Sequence, residues 1–168
     1  MLAQMYAQPH DASQFVDHQF RIADTIAACA GPWGSAADLS CGDGSILHAV
    51  DAQVKHFGDM APGYAFRGPL ESTLAFLPLV DLYICTETLE HLDDPGNALG
   101  LMRGKALHMV LSTPVEAWED ANPEHYWAWD RDGVEELLSQ AGWRVDEYST
   151  SDHRAAGFQY CYGIWLCS

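Results

Sequence analysis

The chain has 168 residues, 48% of them hydrophobic, with six tryptophans, which suits one folded domain with a real core and excludes a disordered segment. Its formal charge is −16 with only eight lysines and arginines, so its surface repels phosphate backbones and argues against a nucleic-acid partner. No apolar run approaches the ~20 residues of a bilayer span, and the N-terminus lacks the basic-then-apolar order of a signal peptide. The five cysteines (Cys29, Cys41, Cys85, Cys161 and Cys167) form no C-x-x-C pair. These features lead us to expect free thiols, a cytoplasmic location and no membrane partner.

Short apolar runs separated by Gly/Pro turns set the expected elements. Val16, Phe20, Ala23 and Ala27 recur at helical spacing, which predicts a helix over 12–29 closed by Gly31-Pro32. A strand is expected at 36–40, running into a glycine-rich turn, then a short helix at 45–51. A second strand at 53–57 ends at Gly58-Asp59. A helical turn follows at 71–76, then a buried strand at 79–85, a helix at 95–103 and a strand at 106–111. The chain closes with a helix at 132–141 and two strands, 143–148 and 159–167, that pair antiparallel. Strands alternating with helices imply a mostly parallel sheet with crossover helices. Ligands of such sheets bind at the carboxyl ends of the strands, and three notable turns, at Ser40, Asp59 and Cys85, fall there.

The first of these turns reads Ala37-Asp38-Leu39-Ser40-Cys41-Gly42-Asp43-Gly44-Ser45. Glycines at such a bend permit positive φ and close approach of a ligand, and the next helix offers its free N–H groups to the same place. Taken alone, a G-x-G bend is also an ordinary strand–helix turn. A phosphate-cradling P-loop needs Gly-Lys-Ser/Thr, and no lysine is present. A dinucleotide fingerprint needs a third glycine where Leu47 stands, and Asp43 would repel a pyrophosphate. A sulfonium cofactor has no phosphate and is positively charged, so an acidic loop suits it.

This turn resembles motif I of the class I, S-adenosylmethionine-dependent methyltransferases. Asp38, Gly42 and Gly44 match the motif, while Ser40 replaces its usual first glycine. The resemblance implies that Asp38, Ser40, Gly42, Gly44, Asp59 and the backbone at Thr86 contact S-adenosyl-L-methionine, with Asp59 on the ribose hydroxyls. The plainer reading of Asp59 is a turn or cap residue.

The stretch Val80–Leu92 carries a strand running into Glu87-Thr88-Leu89-Glu90-His91. Spacing i, i+3, i+4 would put Glu87, Glu90 and His91 on one face of a helical turn, where two carboxylates and an imidazole can chelate Mg²⁺, Mn²⁺ or Fe²⁺. A cation there could lower the pKa of a substrate hydroxyl. The alternative is that the two glutamates line the cofactor edge or cap the turn while His91 packs on the sheet. The stretch resembles the fourth-strand motif of ubiquinone-type O-methyltransferases, and the E-x-x-E-H of small-RNA 2′-O-methyltransferases is similar. In both, these side chains are associated with a metal.

After the fifth strand come Ser112-Thr113-Pro114 and, later, Asn122-Pro123-Glu124-His125-Tyr126-Trp127-Ala128-Trp129-Asp130. His125 stands where the RNA-methylating family completes its metal site. It remains open as a metal ligand, a general base or a structural loop residue. Tyr126, Trp127 and Trp129 either wall a substrate pocket or pack on the next helix, with Trp127 and Trp129 facing the same way.

The resemblance covers residues 36–148 and implies a seven-stranded, mostly parallel, Rossmann-like α/β sheet with an antiparallel last strand, in one compact domain (1–34 N-terminal helical segment, 35–168 core). The short interval between Asp59 and Asp81 requires an abbreviated third strand. The expected activity is O-methylation of a small-molecule or sugar hydroxyl. His91 and His125 are the candidate catalytic bases, or they join Glu87 and Glu90 around Mg²⁺ or Mn²⁺. The alternatives are a metal-dependent RNA 2′-O-methyltransferase, a silent methyltransferase-like scaffold subunit and an NAD-dependent oxidoreductase. A small-molecule acceptor is the expected partner, with a homodimer or a partner subunit left open.

Overall fold

A computed structural model of the chain describes residues 7–11 and 16–168. The chain alternates strands and helices: α1 (Val16–Ala28), β1 (Trp33–Asp38), α2 (Ser45–Ala49), β2 (Ala52–Asp59), β3 (Phe66–Arg67), α3 (Leu70–Leu74), β4 (Val80–Thr86), α4 (Pro95–Arg103), β5 (Ala106–Val115), α5 (Arg131–Gln140), β6 (Val145–Asp152) and β7 (Cys161–Cys167). Short 3₁₀ turns occupy Leu89–His91 and Arg154–Ala156. Residues 12–15 of the expected first helix lie outside the described residues.

The strands form one seven-stranded sheet in the order β3-β2-β1-β4-β5-β7-β6. The pairs from β3 to β5 are parallel, and β7 runs antiparallel to both β5 and β6. As the short spacing before Asp81 requires, β3 is only two residues long. Strand order reverses direction between β1 and β4, which opens a ligand crevice at their carboxyl ends.

The central strands are buried on both faces, as a parallel sheet between helices requires. Val80, Tyr83 and Cys85 of β4 and Met109 and Leu111 of β5 join one cluster with Leu74, Leu99, Met102 and Leu138. Leu82, Ile84 and Val110 face the opposite cluster, with Ile22, Ile46 and Leu47. Local chemistry fixes the helix starts. The Asp94 side chain accepts from Asn97 N–H with Pro95 in the first turn of α4, and Asp130 accepts from Gly133 N–H at the start of α5.

Two of the strand bounds that differ from the sequence expectation do so for the same reason. β1 begins at Trp33, and β5 runs four residues past Leu111 to Val115. Neighbouring strands hold both extensions: Trp33 pairs with Ala52, and Ser112 through Val115 pair with Ile164 through Cys161 of β7. Long-range pairing of this kind is invisible to a local pattern.

Candidate active site at the carboxyl ends of β1, β2 and β4

Asp38 closes β1 and is 2% exposed. Its Oδ1 accepts from Ser40 N–H at 3.0 Å, and the Ser40 and Thr88 hydroxyls hydrogen-bond to each other at 2.8 Å. The first-glycine position of the motif is thus a serine that ties the β1 turn to the β4 turn. Burial pushes the Asp38 carboxyl up to about 7, with the Ser40 N–H pulling against it.

Gly42 and Gly44 adopt φ of +55° and +77°, the left-handed region that favours glycine. A Cβ at Gly42 would also lie 3.2 Å from the carbonyl oxygen of His10, so the N-terminal segment passes over the bend. Asp59, at the end of β2, organises the loop: its Oδ2 accepts from Gly42 N–H at 2.9 Å and its Oδ1 from Ala61 N–H at 2.8 Å. Each carboxylate oxygen keeps a second acceptor site. The turn-residue reading of Asp59 therefore holds, and it leaves acceptor capacity for a ligand.

Thr86 ends β4, and its carbonyl accepts from Thr88 Oγ1 at 2.8 Å. The next residue departs from the geometry expected of it. Glu87 has φ of +49°, outside any helix, and only Leu89–His91 form a turn, of 3₁₀ type. A strained non-glycine backbone of this kind is held by its surroundings. Glu87 N–H donates to the Ser112 carbonyl, and Glu87 Oε1 accepts from Ser112 Oγ at 2.9 Å. Glu87 therefore does not share a helical face with Glu90 and His91, and it stands apart from their cluster.

That cluster comprises Glu90, His91 and His125, each offering one ligand atom, all within 4.8 Å of one another. Glu90 is 1% exposed; its Oε2 accepts from Thr113 Oγ1 at 2.9 Å, and its Oε1 is buried with no hydrogen-bond partner. His91 Nδ1 lies 2.9 Å from the Glu124 carbonyl and His125 Nδ1 lies 2.5 Å from Asp120 Oδ2, so each Nδ1 is the donor. In that tautomer Nε2 carries the free lone pair of each ring. Burial pushes both Glu87 and Glu90 up to about 7.

The loop after β5 is tied to this cluster through Tyr126 N–H, which donates to the Glu90 carbonyl at 2.8 Å. Trp127 and Trp129 stack with ring centroids 6.1 Å apart, Trp129 packing against the core and Trp127 donating to the Leu92 carbonyl.

Four contributors carry no local sequence signal: Arg21, Asp120, Thr88 and Tyr160. Asp120 accepts from Tyr160 OH at 2.9 Å and Asn122 N–H at 2.9 Å. Burial raises the Asp120 carboxyl, but these bonds and His125 outweigh it and hold it below the usual carboxylate range. No helix among the described residues is long and apolar enough to cross a membrane.

No protein-family model and no curated protein sequence matches the chain. Solved structures do. A SAM-dependent methyltransferase of Leishmania major superposes with a TM-score of 0.76 at 13% identity, covering 99% of this chain and 81% of that one. Magnesium protoporphyrin IX methyltransferase from Synechocystis, solved with S-adenosylhomocysteine bound, gives 0.68 at 15%, covering 90% and 83%. A small RNA methyltransferase gives 0.69 at 18%, covering 89% of this chain; the chain spans only 25% of that protein's length. What is shared at such identities is the architecture: the chain has the Rossmann-like fold of the class I, S-adenosylmethionine-dependent methyltransferases.

Proposed function

We propose that this protein transfers the methyl group of S-adenosyl-L-methionine to a hydroxyl of a small acceptor, with a divalent cation, Mg²⁺ or Mn²⁺, held by Glu90, His91 and His125. The observation that carries this reading is the Glu90–His91–His125 cluster, with a buried, unpartnered Glu90 oxygen and two imidazoles whose Nδ1 atoms are already committed. Histidine ligands of metals characteristically donate their other N–H to a carboxylate or a backbone carbonyl, which is the pattern here. A mixed carboxylate and imidazole set suits a borderline divalent ion.

Asp59 has acceptor sites for ribose hydroxyls, and the bend at Gly42 and Gly44 lets a ligand approach the backbone closely. When bound at the cluster, the cation supplies a Lewis-acidic contact that lowers the pKa of the acceptor hydroxyl. The rest of the work is positioning. The acceptor oxygen attacks the methyl carbon in line; the C–O bond forms as the C–S bond breaks. The electron pair leaves on sulfur, which becomes a neutral thioether, and the hydroxyl proton passes to a nearby base or to water.

A ribose hydroxyl of RNA is the second reading of the acceptor. The likeness to a small RNA methyltransferase and the order of Glu87, Glu90, His91 and His125 along the chain support it. The formal charge of −16 favours the small molecule.

The test is calorimetry followed by a panel of hydroxylated acceptors, RNA oligonucleotides included. S-adenosylhomocysteine binds and NADH does not; methyl transfer stops in EDTA and returns with Mn²⁺ or Mg²⁺. Full activity in chelator removes the metal from the proposal, and no binding of S-adenosylhomocysteine removes the methyl donor.

A further inference from the structure

A cavity of about 330 Å³, within the size range of small-ligand pockets, lies on the β2–β3 edge of the sheet, with His48, Lys55, His56, Phe57, Tyr64 and Phe66 in its walls. It is separate from the crevice at the strand tips. Lys55 is level with Ala36 and Phe57 with Asp38, so the cavity flanks the strands below their carboxyl ends. β2 also stands on the opposite side of β1 from β4.

Its chemistry runs against that of the whole chain. The formal charge is −16, yet between Asp51 and Glu71 the one acid is Asp59, whose oxygens both accept from backbone N–H groups. Lys55 and Arg67 lie in the same stretch. The Lys55 ammonium donates to the His48 carbonyl at 2.9 Å, which holds it at the cavity with two N–H donors to spare. Phe57 and Tyr64 are half-buried, with ring planes 14° apart and centroids 6.4 Å apart, so they present flat faces in nearly one orientation. The His48 ring packs on Phe57, centroid to centroid 4.6 Å, and steadies it. A flat apolar ring stacks on such faces, and a negative group on that ring meets Lys55 and the imidazoles of His48 and His56. Acidic surface elsewhere on the molecule repels the same ligand. One ammonium matches one negative charge, that of a carboxylate.

The cavity is joined to the glycine bend. Tyr64 OH donates to the Gly42 carbonyl at 2.5 Å. A Cβ at Gly44 would lie 3.2 Å from the Phe57 ring and 3.3 Å from the His48 ring. A ligand that orders these rings therefore bears on the bend from behind.

We propose that this cavity is a second ligand site, for a flat aromatic carboxylate, and that its occupancy is coupled through Tyr64 to the bend at Gly42. The coupling rests on the donor proposed above; the binding does not.

The experiment is calorimetry on the full chain, in EDTA so that no metal recruits the carboxylate, with 2-naphthoate and its neutral analogue 2-naphthamide. Wild type binds naphthoate tighter by on the order of tenfold. Lys55→Gln removes that preference while naphthamide binds as before, and Phe57→Leu weakens both. Saturating naphthoate changes the affinity for S-adenosylhomocysteine by about fivefold or more, and S-adenosylhomocysteine changes that for naphthoate by the same factor. Tyr64→Phe keeps the ring but removes the bond to Gly42, so it retains naphthoate and loses the coupling. Equal affinity of wild type for naphthoate and naphthamide, or an unchanged preference in Lys55→Gln, overturns the site. Mutually exclusive binding of naphthoate and S-adenosylhomocysteine also overturns it, because the probe is then in the donor crevice. Independent binding of the two overturns the coupling alone. If S-adenosylhomocysteine does not bind, the methyl-donor reading falls, and the comparison of naphthoate with naphthamide still decides this site.

Discussion

His125 Nδ1 lies 2.5 Å from Asp120 Oδ2, and this contact decides which nitrogen of the ring is left to act. Asp120 is itself held by Asn122 N–H in the same loop and by Tyr160 OH from 40 residues on, so two parts of the chain fix one imidazole. The Nε2 lone pair is thereby presented beside Glu90 and His91.

The first prediction follows from that clamp. Asp120→Asn keeps the shape but offers an amide in place of a charged acceptor, so the His125 ring is held less firmly in its orientation. Mn²⁺ affinity, read by electron paramagnetic resonance, drops by roughly 10- to 100-fold while S-adenosylhomocysteine affinity is unchanged. Tyr160→Phe, which removes a bond one step further out, gives a smaller loss. Unaltered Mn²⁺ binding in Asp120→Asn would show that the clamp serves the loop and not the cluster.

The two glutamates of the motif should separate. Glu90 carries the unpartnered oxygen within the cluster, whereas Glu87 is turned to Ser112 and Arg21 by a left-handed backbone. Glu90→Gln therefore loses Mn²⁺ binding, and Glu87→Gln retains most of it. Equal losses in the two variants would mean that Glu87 swings into the coordination sphere, against the geometry of the ligand-free protein.

How much of this was legible in the sequence follows from the range of each contact. Asp38, Gly42, Gly44 and Asp59 were readable because a strand, a bend and the next strand end lie close together in sequence, and the structure joins them through the Gly42–Asp59 bond. Glu90, His91 and His125 were readable as residue types, and the structure brings them together. The turn between Glu87 and Glu90 was not, because its left-handed residue is stabilised by Ser112 on the neighbouring strand rather than by anything local. Arg21 is a single polar position on α1 with no motif around it; the fold sets it against the Tyr162 ring of the last strand. Asp120 and Tyr160 lie 40 residues apart, and only the β5–β7 pairing makes them neighbours.

Asp59 bears structural weight beyond any ligand contact. Its two oxygens satisfy Gly42 N–H and Ala61 N–H. Truncation to alanine leaves both donors unpaired at a mostly buried position, a cost of about 1–3 kcal/mol for each group that water fails to reach. Asp59→Ala should lower the melting temperature and abolish S-adenosylhomocysteine binding. Asp59→Asn, which keeps one carbonyl acceptor, should retain more of the stability than of the binding. A fully stable alanine variant would mean that the loop is held by its own turns.

Stability against pH supplies the last prediction. Burial pushes Asp38, Glu87 and Glu90 up to about 7, from ordinary values of 3.8 for the aspartate and 4.5 for the glutamates. The folded state therefore binds protons more tightly than the unfolded one, so the ligand-free protein is favoured at low pH and loses stability as pH climbs from about 4.5 to 7. For Glu90, the most buried of the glutamates, the loss is on the order of 3 kcal/mol as an upper figure. The melting temperature of the ligand-free protein should fall across that window, and Glu90→Gln should flatten the fall. Divalent metal reverses the trend, because ligands bind it deprotonated and its affinity rises with pH. With saturating Mn²⁺ the melting temperature should hold or climb between pH 6 and 8. A falling curve identical with and without metal would place the cation elsewhere and leave Glu90 as a buried acid with no ligand.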